Sequence, residues 1–107
     1  MNDKVLSLLG LARRAGKAAL GFDPTVDSVK NKQSQLILIS SDISPKSRKE
    51  LLFSLRDEDV EMLDVAYTAE QIGFALGKKA KIISVNDAGF AQSVKKLLGS
   101  TFGEESD

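Results

Sequence analysis

The segment Gln35–Pro45, which reads QLILISSDISP, constrains the fold more than any other part of the chain. An unbroken apolar run gives way to Ser40, Ser41 and Asp42 and ends at a proline. Such a run is typical of a strand that is covered on both faces, as in sheets flanked by helices. Binding sites in open α/β sheets lie beyond the carboxyl ends of the strands. We therefore expect a buried strand over residues 36–39 and a functional turn directly after it.

The chain as a whole alternates between helical and strand patterns, and this alternation predicts the fold class. Apolar periodicity and turn residues indicate helices near residues 2–15, 23–31, 45–56, 68–77 and 87–99, and strands near 17–20, 36–39, 60–65 and 80–85. This order predicts an α/β domain with a mixed or parallel sheet and helices on both faces. We expect one domain over residues 1–99, followed by a flexible acidic tail over residues 100–107.

Several helix boundaries are predicted from single residues. Four residues are candidate N-caps: Asp23, Ser44 before Pro45, Thr68 and Asp87. Thr68 with Glu70 is near the spacing of a capping box. Gly99 is predicted to end the last helix. Three leucines of the third helix are expected to face the core: Leu51, Leu52 and Leu55.

The chain contains no cysteine and no histidine, and this composition excludes several classes of chemistry. Without cysteine there are no disulfides and no thiolate nucleophile. Without histidine the commonest general base and metal ligand are missing. The sequence also lacks a secretion signal and an apolar run of the roughly 20 residues that a membrane span needs. We expect a soluble cytoplasmic protein with no metal, no cofactor and no enzymatic activity.

Positive and negative charges are balanced in number but unevenly distributed along the chain. There are 15 basic and 15 acidic side chains. Residues 1–50 carry nine bases against five acids, residues 78–99 carry five against one, and residues 51–77 carry one against six. If the two basic segments share a face, the domain has a positive patch that suits a polyanion. The alternative is that these charges are dispersed over a solvated surface.

Four turns are expected to gather around the strand ends: Gly21–Pro24, Ser40–Asp42, Ala66–Thr68 and Gly77–Lys79. The first three precede helices, whose N-terminal N–H groups favour anions such as phosphate. Phe22 is expected either to stack on an exposed base or to act as a hydrophobic staple for the second helix. Lysines are expected to supply positive charge nearby: Lys30, Lys32, Lys78 and Lys79.

Three segments carry a resemblance to a known family: LLGLARRAGKAALG at 8–21, QLILISSDISP at 35–45, and IGFALGK at 72–78. Together they resemble the ribosomal protein L7Ae superfamily, especially its short bacterial members, over nearly the whole chain from about residue 5 to 98. The resemblance implies a three-layer α/β/α sandwich around a four-stranded mixed sheet. It also implies binding to structured RNA, because many members bind kink-turn RNA.

The resemblance carries RNA-binding positions onto this chain. By position they fall on Gly21, Phe22, Asp23, Thr25, Val26, Lys30, Lys32, Ser41, Asp42, Ile43, Lys78 and Lys79. The opening motif of the short bacterial members adds a further basic face: Arg13, Arg14 and Lys17.

The helix-opening turn departs from the pattern that kink-turn readers typically show. Their Asn-Glu pair becomes Asp23-Pro24 here, and the Lys a few residues later becomes Asp27. A carboxylate accepts hydrogen bonds from a guanine edge but repels phosphate, and proline has no N–H to donate. The departures weaken the expected match to a standard kink-turn.

Two other readings compete with RNA binding. The strand that ends at Asp42 resembles the phosphorylated strand of a receiver domain, but the acidic pair and the later lysine of that site are missing, which leaves too few ligands for magnesium. A protein-interaction module that keeps the fold without RNA binding is the second reading, and the altered turn favours it. We predict a non-catalytic, monomeric protein that binds structured RNA, with ribosomal RNA as one candidate, through phosphate contacts from lysines and arginines.

Overall fold

A computed structural model describes residues 3–103 of the chain, with the side chains of residues 3–99. Within this range the elements alternate in the predicted order: α1 (Lys4–Arg14), β1 (Ala18–Leu20), α2 (Phe22–Lys30), β2 (Leu36–Ile39), α3 (Pro45–Ser54), β3 (Met62–Asp64), α4 (Ala69–Leu76), β4 (Ile82–Val85) and α5 (Ala88–Gly103). The strand predicted from the apolar run is confirmed at residues 36–39.

The four strands form one mixed sheet in the order β1-β4-β2-β3. Strand β4 is antiparallel to both β1 and β2, whereas β3 is parallel to β2. Strand β3 therefore lies at an edge, where its exposed Asp64 can reach water. The mixed sheet that the family resemblance implies is confirmed.

Successive side chains of β2 point to opposite faces of the sheet and fill two separate cores. Leu36 and Leu38 pack with residues of α1, α4 and α5, whereas Ile37 and Ile39 pack with residues of α2 and α3. All four β2 residues are buried because helices cover both faces. The structure is thus the expected three-layer α/β/α sandwich.

Strand β4 contains one buried polar side chain, Ser84, and a small network satisfies it. Ser84 Oγ lies 2.7 Å from Ser34 Oγ and 2.5 Å from Asn86 Oδ1. Asn86 Nδ2 in turn donates to Ser28 Oγ at 3.0 Å. The network links the end of β4 to α2 and to the segment before β2, and it removes the cost of burying the hydroxyl.

Most predicted helix boundaries are confirmed. Ser44 accepts from the Ser47 N–H at 3.1 Å and caps α3, with Pro45 as the first helical residue. Asp87 Oδ2 accepts from the Phe90 N–H at 2.9 Å at the start of α5. Gly77 ends α4 with a φ of 87°, a left-handed conformation that favours glycine.

Four boundary and core predictions are wrong. Gly21, not Asp23, is the N-cap of α2, because the helix begins earlier, at Phe22. The capping box of Thr68 is completed by Gln71, which lies at the third helical position, and not by Glu70. Leu52 is 45% exposed, because α3 turns only Leu51 and Leu55 to the core. Helix α5 continues through Gly99 to Gly103, since one glycine within a helix costs only about 1 kcal/mol.

Residues 100–103 of the predicted tail thus belong to α5, and residues 104–107 lie outside the described residues. Within residues 3–103, every helix is too short or too polar to cross a lipid bilayer.

Tyr67 joins the turn after β3 to the start of α1. Its hydroxyl lies 2.8 Å and 2.9 Å from the two carboxylate oxygens of Asp3, to which it donates. Asp3 Oδ1 also accepts from the Leu6 N–H at 3.0 Å, so one carboxylate caps α1 and holds it against this turn. Burial of the ring, followed by the hydrogen bond to Asp3 and its charge, raises the pKa of Tyr67 to about 12.

The raised pKa predicts a loss of stability at alkaline pH. The folded-state pKa of Tyr67, about 12, exceeds the ordinary value of 10.0, so the contact stabilises the fold fully below about pH 10 and is lost as the pH rises through 12. Tyr67 is the only tyrosine and there is no tryptophan, so tyrosinate absorbance reports this hydroxyl alone. We expect Asp3→Asn to lower the titration midpoint part of the way towards 10. An unchanged midpoint would contradict the role of Asp3.

Candidate nucleic-acid interface

Three strands end, and the fourth begins, at the same edge of the sheet. The Gly21 N–H donates to the Ile82 carbonyl at 2.8 Å, and the Ser40 N–H donates to the Lys81 carbonyl at 2.9 Å. The Ser41 N–H donates to the Tyr67 carbonyl at 2.8 Å. We refer to the turns 21–24, 40–43 and 66–68 together with Lys81 as the strand-end rim. The sequence-based expectation is confirmed for these three turns, whereas the fourth, Gly77–Lys79, lies at the end of α4.

The turn that opens α2 depends on a glycine and carries few hydrogen-bond donors. Gly21 has a φ of 104°, a conformation that side chains rarely adopt. Within the described residues no side chain caps the first turn of α2. Pro24 lacks an N–H and the Thr25 N–H already donates to the Gly21 carbonyl at 3.2 Å, so the N–H groups of Phe22 and Asp23 are those left at this helix start.

Asp42 organises the centre of the rim. Its Oδ1 atom accepts from Ser40 Oγ at 2.8 Å and from the Ala69 N–H at 3.1 Å, which places the carboxylate at the start of α4. The Ser40 hydrogen bond lowers the pKa of Asp42 by more than burial raises it, and the Ala69 amide and the charge of Lys81 lower it further. Asp42 is therefore ionised at neutral pH and fixes the loop around it.

The apolar residues predicted to meet RNA differ in their accessibility. Phe22, Val26 and Ile43 are half-buried and pack at the border of the α2–α3 core, so part of each side chain faces solvent. The side chain of Thr25 is fully buried. The whole residue is without exposed surface, so a ligand at the rim has no direct access to Thr25.

A short loop, residues 77–80, follows α4 and leads to Lys81 of the rim. We refer to it as the lysine loop, because it contains Lys78 and Lys79. Gly77 reverses the direction of the chain, and the backbone of Lys79 packs against Gly73, where an added methyl group would lie 3.2 Å from Lys79 Cα. Because a residue spans at most about 3.6 Å, Lys79 and Lys78 lie within about 7 Å and 11 Å of Lys81 in the rim. Both lysines are exposed, and their short connection to Lys81 limits how far from the rim they can lie.

The other predicted cations lie away from the rim. Lys30 ends α2, roughly 13.5 Å along the helix from Gly21, and Lys32 forms an ion pair with Glu58 at 3.5 Å. The Lys17 carbonyl accepts from the Asn86 N–H, just beyond the opposite end of β4.

The two arginines at the end of α1 have different surroundings. Arg13 donates to the Leu76 carbonyl and so caps the end of α4, at the base of the lysine loop. Arg14 lies beside the exposed Leu11 and Phe74, between α1 and α4. Acids also border the strand ends, since Asp23, Asp42 and Glu70 are all exposed there.

Comparison with known proteins identifies the family of this sandwich. A family model described as ribosomal protein L7Ae/L30e/S12e/Gadd45 matches residues 3–95, which include all four strands. The chain belongs to this family. The resemblance seen in the sequence is thereby confirmed.

The relatives of this L7Ae-family chain include short bacterial proteins. It is 30% identical over 95 residues to the RNA-binding protein YlxQ of Enterococcus faecium, covering 89% of this chain and 91% of that protein. It is 33% identical over 92 residues to the RNA-binding protein YlxQ of Bacillus subtilis, covering 85% and 91%. A solved structure of a protein of unknown function from Bacillus halodurans is 35% identical, with a TM-score of 0.78, and the match covers 90% of this chain and 97% of that one.

Sequence reasoning about this L7Ae-family chain missed four residues near the rim: Lys46, Lys49, Phe53 and Lys81. Lys46 and Lys49 are exposed in the first turns of α3, directly after the rim, whereas Arg48 is paired with Asp64. Lys81 falls within the strand that the sequence predicts at 80–85, whereas in the structure β4 begins one residue later and leaves Lys81 exposed. The signal for the α3 lysines is their spacing of three residues, which places them on one helix face.

Thr25 provides a test of the local packing in this L7Ae-family chain. Its buried Oγ1 atom has no hydrogen-bond partner among the described residues. Because valine has the same shape without the hydroxyl, we expect Thr25→Val to raise the free energy of unfolding by about 1 kcal/mol in urea denaturation. Thr68→Val, which removes an N-cap, should lower it by about 1 kcal/mol. A destabilised Thr25→Val variant would contradict the unpaired state of this hydroxyl.

Proposed function

We propose that this chain binds structured RNA in the cytoplasm and catalyses no reaction. The ligand lies across the strand-end rim, where it meets the start of α2, the loop after β2 and the lysine loop before β4. Phosphate contacts from Lys78, Lys79 and Lys81 supply most of the affinity, because neutralising phosphates releases counterions. The turn 21–24 and Ile43 select the RNA structure, because they present shape and side chains rather than positive charge.

The single observation that carries the proposal is the meeting of these features at one edge of the sheet. Half-buried Phe22 and Ile43 offer apolar surface for unstacked bases, and the exposed Lys81 lies at the same strand ends, where its carbonyl accepts from the Ser40 N–H. The names of the two YlxQ relatives, which are called RNA-binding proteins, support the same function.

The composition of the turn indicates which part of the RNA it meets. Asp23 and Asp27 are both exposed and lie four residues apart, so two carboxylates share one face of α2. Carboxylates repel phosphates but accept hydrogen bonds from the amino group of a base. We infer that the turn contacts base edges and that the RNA differs from a standard kink-turn, with ribosomal RNA as the leading candidate.

A protein-interaction module remains the second candidate function, and one observation favours it. Phe74 is 90% exposed on α4 and Leu11 is 50% exposed on the neighbouring α1. Exposed apolar side chains of this size that lie together mark protein contacts in many domains. Crosslinking in cells separates the two functions, since recovery of proteins without RNA would favour the interaction module.

The lysine loop provides the main test of RNA binding. RNA sequences identified by crosslinking in cells are transcribed in vitro. The affinity of the protein for each RNA is then measured over a range of salt concentrations. We expect Lys78→Glu with Lys79→Glu to lose at least about tenfold in affinity and to reduce the salt slope by about two.

The matched control for this test is Lys30→Glu with Lys32→Glu, which changes the charge equally at the far end of α2. We expect it to retain affinity within about twofold, because this site lies away from the rim. Equal affinity of the wild type and the loop variant for every recovered RNA would refute the proposed interface.

The opening turn of α2 provides an independent test of RNA selection. Replacing Asp23-Pro24 by Asn-Glu and Asp27 by Lys restores the pattern typical of kink-turn readers. The change removes the carboxylates of Asp23 and Asp27, adds one carboxylate through Pro24→Glu, and adds one positive charge through Asp27→Lys. We expect a kink-turn RNA to bind this variant at least about tenfold more tightly than it binds the wild type, measured by gel shift. A variant with only Asp27→Lys separates the effect of charge from that of the turn. No gain in either variant would mean that the turn does not select RNA.

A further inference from the structure

A shallow groove lies between the start of α2 and the exposed face of α3. Its volume is about 430 Å³, within the range of roughly 300–1,000 Å³ that is typical of small-ligand sites. It is lined by Phe22, Lys49, Glu50, Phe53 and Ser54. Phe22 belongs to the strand-end rim, and α3 begins directly after the rim loop 40–43. The groove is therefore continuous with the proposed RNA interface.

Phe53 is an aromatic side chain that the fold leaves in solvent. It is 65% exposed, whereas Leu51 and Leu55 of the same helical segment are buried in the core. The guanidinium of Arg56 stacks on the ring, with 4.0 Å from Arg56 Cζ to the ring centroid, and Arg56 also donates to the Phe53 carbonyl at 2.7 Å. The ring is thus held in a defined orientation at the surface. This lowers the conformational entropy that the side chain loses when a partner stacks on it.

The charges around the groove favour one class of ligand. Lys49 lines the groove, and Lys46 lies one turn earlier on the same helix face, towards the rim. Glu50 adds a single carboxylate, which accepts hydrogen bonds from amino groups but repels phosphate. Aromatic surface, an acceptor and two cations on the rim side match the three parts of a nucleotide: the face of the base, its edge and its phosphate.

We propose that this groove binds an unpaired nucleotide that flanks the structured part of the RNA. The base stacks on Phe53, its amino group donates to Glu50, and the phosphates on either side contact Lys46 and Lys49. The inference rests on the proposed function, because the groove continues the same interface. It extends the bound RNA from the strand ends along α3.

The test uses the full chain and two fluorescent probes, a short oligocytidylate and a short oligoadenylate, whose bases both carry an amino group, with affinity measured by anisotropy. We expect Phe53→Ala to weaken binding by about 5- to 150-fold, the range that corresponds to loss of one base–aromatic stack. Phe53→Tyr keeps the aromatic face and should retain the affinity within about twofold. Lys49→Glu should lower both the affinity and the salt dependence.

Phe74→Ala is the matched control, because Phe74 is also an exposed phenylalanine but lies on α4 in the opposite helix layer. It should bind both probes as the wild type does. Since both rings are exposed, the thermal unfolding midpoints of the two alanine variants should match that of the wild type. This comparison separates loss of stacking from loss of the fold.

Two outcomes overturn the groove proposal without affecting RNA binding at the rim. One is equal probe affinity of Phe53→Ala and Phe74→Ala, and the other is failure of the wild type to bind either probe while it still binds RNA recovered from cells. Loss of a protein crosslink in Phe53→Ala, with unchanged probe affinity, would assign the groove to a protein instead. Absence of any RNA bound to the wild type would overturn both proposals.

Discussion

The antiparallel pairing of β2 with β4 is the constraint on which the rest of the structure depends. All eight residues of these two central strands are buried, and neighbouring side chains point to opposite faces of the sheet. Each face therefore needs its own layer of helices, which gives the three-layer sandwich. The one polar side chain in the pair, Ser84, is tolerated because Ser34 and Asn86 satisfy it. A change that broke this network would affect the packing of both central strands.

The same pairing decides where the functional surface lies. Because β4 runs against β1 and β2, the turn after β1, the turn after β2 and the loop before β4 meet at one edge. The residues that we propose to meet RNA come from segments far apart in the sequence, yet backbone hydrogen bonds such as Ser40 N–H to Lys81 hold those segments together. The rim is consequently positioned by the sheet and not by the loops themselves, which is the usual way in which rigid scaffolds present binding loops.

The sequence predicted the elements well because their signals are local. The apolar run of β2, the Ser44-Pro45 start of α3 and the end of α4 at Gly77 each depend on a few neighbouring residues. The candidate site was harder to predict, because its composition depends on which ends of helices meet. Lys30 shares a helix with Phe22 but lies at its far end, whereas Lys49 lies beside Phe22 in space and on another helix. Spacing along one helix predicts a shared face, but it does not predict which neighbouring helix supplies the next charge.

One contact links the lysine loop of the proposed surface to the first helix. Arg13 of α1 donates to the Leu76 carbonyl, and its guanidinium lies close to Gly77, where the lysine loop begins. The guanidinium acts as an anchor for a loop that is more than sixty positions away in the chain. A homologue without this arginine in α1 would need another residue to hold the loop, or it would bind phosphate more weakly. We therefore expect substitutions at the ends of α1 and α4 to be correlated.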